Sequence, residues 1–225
     1  KHFVANNHEW NRNTIDVKVD ERALREIYLK GFEISTRKGQ PWTVMSSYNK
    51  LNGTYTSESQ WLLTDVLRAQ WGYQGVVMTD WFGGLDAVAQ MRAGNELLMP
   101  GTGKQRKAIL AALADGMLDE AVLDRNVMRV LELIQRSRAF KRLPHSDQPD
   151  LQAGARISRS AASQGMVLLK NNGGALPLSA AARVALLGHA SYEVIIGGTG
   201  SGDVNEAYAV TLQRGLQNAG FSNAS

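Results

Sequence analysis

Asp80 follows an apolar run, a position where a carboxylate could take part in chemistry. Residues 75–79 are typical of a buried strand, and Trp81 comes directly after the acid. Tyr48 and Asn49 lie at the carboxyl end of another predicted strand, residues 43–48. An isolated Asp after a strand often caps the next helix instead, so this position alone leaves both roles open.

Strands alternating with helices would have to position these side chains. Apolar runs predict strands at 43–48, 75–79 and 95–99, and helical spacing predicts helices at 23–38, 57–70 and 85–93. Such alternation indicates a parallel sheet, either a (β/α)8 barrel or a doubly wound sheet. In both, active sites form at the carboxyl ends of the strands, where Tyr48 and Asp80 fall.

The later part of the chain is organised differently. A helical stretch at 104–138, broken near Asp115 and Gly116, precedes a polar segment with two prolines. We therefore predict an α/β domain at 1–141, a linker at 142–150 and a further unit at 151–225. That unit should contain helices at 151–170 and 208–218 and a strand at 183–187. It is too short for a complete domain.

Composition excludes several classes of function. The chain has no cysteine, so disulfides, zinc–thiolate sites and cysteine nucleophiles are excluded. The net charge is +4 and no basic run with interleaved aromatics occurs, so no nucleic-acid partner is expected. No apolar stretch is long enough for a bilayer, so no membrane partner is expected either. Neither terminus looks natural, and we expect the chain to be an internal part of a longer protein.

Several motifs together resemble family 3 of the glycoside hydrolases, in the order typical of that family. They are residues 1–3 with Asn6, Asn7 and Arg12, residues 45–49 with Asn52 and Gly53, residues 75–81, residues 165–171 and residues 176–178. The resemblance implies the C-terminal half of a (β/α)8 TIM-like barrel followed by the start of an α/β-sandwich domain. It also implies a retaining β-glucosidase. A β-xylosidase, another exo-glycosidase of the family and a non-catalytic carbohydrate-binding barrel are the alternatives.

The resemblance assigns roles to three residues at the strand ends. Asp80 would be the carboxylate nucleophile that forms a glycosyl intermediate, as retaining glycosidases require. Trp81 would pack against the sugar ring, and the Tyr48 hydroxyl would stabilise charge beside the nucleophile. The alternative for Trp81 and Tyr48 is an ordinary place in the core.

Four further residues would bind the substrate by the same resemblance. Lys1, His2 and Arg12 would hold sugar hydroxyls, since charged donors make strong hydrogen bonds. Lys1 could instead be a solvated terminal residue, and Arg12 could be a surface partner of Glu9 or Asp16. Ser201 lies in a glycine-rich loop that resembles one reaching the barrel mouth, although a solvent loop would have the same glycines.

No metal site and no cofactor are expected, because the four histidines lack ligand spacing. Glu58 and Glu96 are interpreted as structural, and the resemblance puts the acid/base Glu beyond residue 225. The expected partners are a β-glucoside or oligosaccharide substrate, the remaining segments of the polypeptide and a second copy in a homodimer. A periplasmic or secreted location is favoured and a cytoplasmic one is the alternative, since the lack of cysteine fits both.

Overall fold

The computed structural model describes residues 1–179 and 181–221, which fall into two compact units. The first unit comprises Lys1–Ser146 and the second Asp147–Ser225. The first contains the motifs that surround Asp80.

Four parallel segments form the central sheet of the first unit. Strand β2 (Thr43–Ser46) pairs in parallel with β5 (Val76–Thr79), with Val44 opposite Val77. Single parallel bridges add Phe3 beside Ser46 and Leu97 beside Met78. The spatial order of the segments therefore follows their order in the chain, with helices between them, as successive βα units require. The strand predicted at 95–99 is reduced to the one bridge at Leu97.

A second, smaller sheet lies beside the first. Strand β1 (Asp16–Val17) pairs in parallel with β3 (Lys50–Leu51), which pairs with β4 (Thr54–Tyr55) in an antiparallel hairpin. The Asn52–Gly53 turn has φ angles of 49° and 100°, which suit Asn and Gly at a two-residue hairpin.

Helices follow the strands of the first unit. Their bounds are α1 (Glu21–Ala23), a π-helical segment (Leu24–Tyr28), α2 (Lys30–Gly39), a 3-10 turn (Thr56–Glu58), a second π-helical segment (Trp61–Gln70), α3 (Ala87–Ala93), α4 (Gly103–Ala114) and α5 (Glu120–Arg136). The predicted helix at 57–70 therefore divides into a turn and a π-helical segment. The predicted break near Gly116 separates α4 from α5, and Gly116 has a positive φ of 77°.

Two apolar clusters hold these elements together. The larger joins the sheet to the preceding helices through side chains such as Phe3, Leu63 and Val77. The smaller joins α3, α4 and α5 through side chains such as Met91, Ala112 and Val122. The sheet is thereby packed on the helices that separate its strands.

Within residues 147–179 and 181–221, the second unit has two helices, α6 (Leu151–Gly165) and α7 (Leu212–Asn218), and two 3-10 turns, His189–Ser191 and Gly200–Gly202. Both helices are shorter than predicted. The strand predicted at 183–187 is not formed within the described range, where only Val184 has bridge geometry. A strand needs a hydrogen-bonded partner, and none of the strands that the structure describes pairs with this segment.

Candidate active site

Asp80 is the first residue after β5, at the carboxyl end of the parallel sheet. Its N–H donates to the carbonyl oxygen of Ser46 at 3.2 Å, so the main chain is still tied to β2 there. Its Oδ1 accepts the N–H of Trp81 at 2.7 Å, and the side chain is 16% exposed. The carboxylate is therefore held at a fixed place but can be reached from outside.

His2 lies beside this carboxylate, with Nε2 3.4 Å from Asp80 Oδ2. Burial lowers the pKa of His2 and nearby Lys1 lowers it further, while Asp80 acts in the opposite direction. The imidazole is consequently neutral at pH 7, since its ordinary value of 6.5 is already below that.

The segment that carries His2 is fixed by strand β2. The Phe3 N–H donates to Met45 O and the Ser47 N–H to Phe3 O, both at 2.8 Å. The carbonyl oxygen of Val4 accepts from Ser47 Oγ at 2.9 Å and from Asn49 Nδ2 at 3.2 Å. Ser47 and Asn49 therefore help to hold His2 near Asp80. Their role was not predicted, and the only signal for it is the polar character of residues at a buried strand end.

Tyr48 faces Asp80 from just beyond the carboxyl end of β2. Burial raises the pKa of its hydroxyl, as do the charge of Asp80 and the hydrogen bond between the two side chains. The phenol therefore remains a donor at neutral pH. The Arg12 guanidinium lies 4.7 Å from the Tyr48 ring centroid and its Nη1 is 2.7 Å from Glu9 Oε2. Arg12 thus reaches the site, and of its two proposed ion-pair partners it bonds Glu9.

Trp81 does not lie in the core, because it is 53% exposed. Its ring meets that of Phe82 edge-on, with centroids 6.2 Å apart, and Phe82 is itself 63% exposed. Aromatic faces at this edge can pack on the C–H groups of a sugar ring.

Lys1 and Ser201 are the remaining two predicted substrate contacts. Lys1 is exposed, and its positive charge lowers the pKa of His2. Ser201 is exposed in the Gly200–Gly202 turn of the second unit, where the Gly198 N–H donates to Gly202 O at 2.8 Å. Its role as a substrate contact stays a prediction.

Neither Glu58 nor Glu96 presents a second free carboxylate. Glu58 Oε1 accepts the N–H groups of Leu85 and Asp86 at 2.5 and 2.9 Å. The fully buried Glu96 carboxylate is bound by Arg68 and Arg129 at 2.7 and 2.6 Å. Within the ranges that the structure describes, no group of three His, Cys, Asp or Glu side chains could hold a metal ion.

Together these groups can stabilise and aim one carboxylate. The Trp81 N–H donates to Asp80, the Tyr48 hydroxyl faces the same carboxylate, and His2 lies within reach of it. Such fixed donors suit a nucleophile whose charge changes during reaction. Fold and site therefore define an α/β protein whose candidate active site lies at the carboxyl end of parallel strands.

Comparison with known families makes this more specific. Residues 1–133 match the glycosyl hydrolase family 3 N-terminal domain and residues 166–223 match the C-terminal domain of that family. The chain belongs to glycosyl hydrolase family 3.

The relatives of this chain are longer proteins. A β-glucosidase of Rhizobium radiobacter is 42% identical over 100% of the chain and 28% of its own length. An exo-α-(1→6)-L-arabinopyranosidase of Bifidobacterium longum is 41% identical over 80% of the chain and 24% of its own length. The solved structure of β-glucosidase 3B from Thermotoga neapolitana with glucose has a TM-score of 0.93 and 47% identity, covering 100% of this chain and 32% of that one. The chain thus spans under a third of the length of these relatives.

Proposed function

We propose that the protein to which this chain belongs is a retaining β-glucosidase in which Asp80 is the nucleophile. The observation that carries the proposal is the Asp80 carboxylate at the end of β5, held by the Trp81 N–H and faced by Tyr48 and His2. The β-glucosidase names of the relatives support the choice of sugar.

The chemistry follows from the placement of these groups. An Asp80 oxygen forms a bond to the anomeric carbon while the bond from that carbon to the aglycone oxygen breaks, and an acid protonates the leaving oxygen. Water then attacks the same carbon while the deprotonated acid takes its proton, and the bond to Asp80 breaks, which releases glucose and restores both the carboxylate and the acid. Tyr48 stabilises the negative charge on Asp80 before attack and after release. The acid is proposed to be a Glu outside residues 1–225, because Glu58 and Glu96 are held in other contacts.

The same proposal concerns architecture. The four parallel segments and their helices support the C-terminal half of a (β/α)8 barrel at 1–141. A linker at 142–150 and the start of an α/β-sandwich domain at 151–225 complete the proposed organisation. A periplasmic or secreted location and a homodimer are proposed from the sequence alone.

Replacing Asp80 by Ala in the full-length protein tests the function. We expect turnover of an aryl β-glucoside to fall by about 10⁴-fold or more, because a covalent nucleophile is removed. External azide should restore part of the rate by entering the vacated space and should give α-glucosyl azide, of opposite anomeric configuration. A near-normal rate for Asp80→Ala would overturn the assignment.

A second candidate is an exo-arabinopyranosidase, favoured by the name of the 41% identical Bifidobacterium relative. Aryl β-glucoside, β-xyloside and α-L-arabinopyranoside compared at equal concentration separate the two. We expect the glucoside to have the highest kcat/KM. Faster turnover of the arabinopyranoside would show that the protein is an arabinopyranosidase, and the role of Asp80 as nucleophile would be unaffected. Tight sugar binding without turnover would indicate a carbohydrate-binding protein.

A further inference from the structure

Four buried polar residues lie beneath the loop that follows Asp80. Ser46, Ser57 and Asn95 are fully buried and Gln90 is 1% exposed. Ser46 lies in β2 and Ser57 in the 3-10 turn before the second π-helical segment. Gln90 lies in helix α3, and Asn95 lies in the segment that bridges to β5. Burying amides and hydroxyls here is costly unless they are hydrogen-bonded, so their bonds are informative.

Their hydrogen bonds connect both sides of the Asp80 backbone. The Asn95 amide nitrogen donates to Ser46 Oγ at 3.1 Å and to Ser57 O at 3.3 Å. Ser46 O in turn accepts the Asp80 N–H at 3.2 Å. The backbone on the amino side of Asp80 is thus tied to the buried group.

The carboxyl side is tied through Gln90. Its amide nitrogen donates to Ser57 Oγ at 3.2 Å and to Gly83 O at 2.7 Å. The Gly83 N–H donates to Asp80 O at 2.9 Å, closing a turn from Asp80 to Gly83. The connections form a closed circuit of main chain and side chains with Asp80 in it.

Gly84 shows how closely the loop lies on this group. Its φ is +75°, and a Cβ at this position would overlap the Gln90 amide nitrogen and Ser57 Oγ. Glu58, next to Ser57, holds the following residues by accepting the Leu85 and Asp86 N–H groups. The loop is therefore fixed by contacts with buried side chains and not only by its own turn.

We propose that Gln90, with Ser57 and Asn95, is a positioning residue that aims the Asp80 carboxylate and Trp81. The inference rests on the proposed function, since it concerns the rate of attack by Asp80. A displacement of about 1 Å at a reacting group can cost about 100-fold in rate, and Gln90 holds the loop three residues from Asp80. All three side chains are buried.

The test replaces Gln90 by Met in the full-length protein, keeping side-chain length but removing the amide. We expect kcat for an aryl β-glucoside to fall about 10- to 100-fold, with KM changed less than about threefold. The rate constant for inactivation by a 2-deoxy-2-fluoroglucoside should fall by a similar factor, because it reports attack by Asp80 alone.

Asn126→Leu is the matched control. The Asn126 amide is also buried and donates to Met91 O at 2.9 Å, in the last turn of α3 and not to the loop at 80–86. It should lower thermal stability much as Gln90→Met does while leaving kcat near wild type. Equal kcat in both variants, at a temperature where both are folded, would overturn the positioning role.

If Gln90→Met does not fold, Ser57→Ala tests the positioning role instead. It removes one hydroxyl bonded to the Gln90 amide and leaves little empty space, and we expect kcat to fall about threefold or more. Unchanged kcat in Ser57→Ala would then overturn the inference. The failure of the proposed function is distinct, since the wild-type protein would not turn over the glucoside or would react at a residue other than Asp80.

Discussion

Asp80 is surrounded by groups that act on it in different ways. Tyr48 is a buried phenol that faces the carboxylate, whereas His2 is a neutral imidazole 3.4 Å away. The Trp81 N–H donates from the adjacent residue. Tyr48 faces the carboxylate from a position two residues beyond the end of β2. It is the residue whose chemistry can be removed with least change in packing.

Tyr48→Phe removes the hydroxyl but keeps the ring beneath Arg12. A hydrogen bond to a charged group contributes about 1.5–3 kcal/mol, so kcat/KM should fall about 10- to 100-fold with little loss of stability. Steady-state kinetics and a thermal melt of the full-length protein measure both effects.

Tyr73→Phe is the control for that substitution. The Tyr73 hydroxyl is buried too, but it donates to Val76 O at 2.9 Å, at the amino end of β5. This variant should lose stability and retain turnover. If both variants kept wild-type kcat/KM, the assigned contribution of Tyr48 to the site would be wrong.

At the scale of elements, a buried ionic group joins β5 to its neighbours. The Glu96 carboxylate accepts the Val77 N–H at 2.7 Å and bonds Arg68 from the second π-helical segment and Arg129 from α5. Burial lowers the pKa of Arg68 to about 10, and Glu96 opposes that shift. The group lies at the amino half of β5, away from Asp80, and is therefore expected to act on stability.

Glu96→Gln tests that expectation. Removing one partner of a buried ion pair leaves unpaired charge, so the free energy of unfolding should fall by about 3–5 kcal/mol. Glu26→Gln, which breaks an exposed pair with Arg22, should cost under about 0.5 kcal/mol. Denaturant unfolding gives the difference, and turnover below the melting range should remain. Loss of turnover by orders of magnitude in folded Glu96→Gln would point to a catalytic carboxylate instead.

The sequence was sufficient to predict the strand ends and not the contacts between distant elements. Asp80 and Tyr48 could be placed at one edge because residues after parallel strands meet there. The hydrogen bonds of Gln90 and Asn95 could not be predicted, because their partners Ser57 and Ser46 lie 33 and 49 residues away in the chain. The strand at 95–99 was overestimated because an apolar run resembles a strand even where only Leu97 pairs.

At the scale of the whole molecule, this chain contains the proposed nucleophile but not the proposed acid. It spans 28% of the length of its Rhizobium relative, and the Glu58 and Glu96 carboxylates are engaged in contacts away from Asp80. We therefore propose that the acid lies on another segment of the same protein. No helix within residues 1–179 and 181–221 is long and apolar enough to cross a membrane.

The central claim, that Asp80 attacks the anomeric carbon, is tested most directly by trapping the intermediate. A 2-deoxy-2-fluoroglucoside with a good leaving group slows hydrolysis of the glycosyl-enzyme, so the full-length protein should accumulate one covalent sugar. Digestion and mass spectrometry should locate the added mass on the peptide that contains Asp80, and Asp80→Ala should remain unlabelled. A label on Glu58, Glu96 or any other carboxylate would contradict the claim.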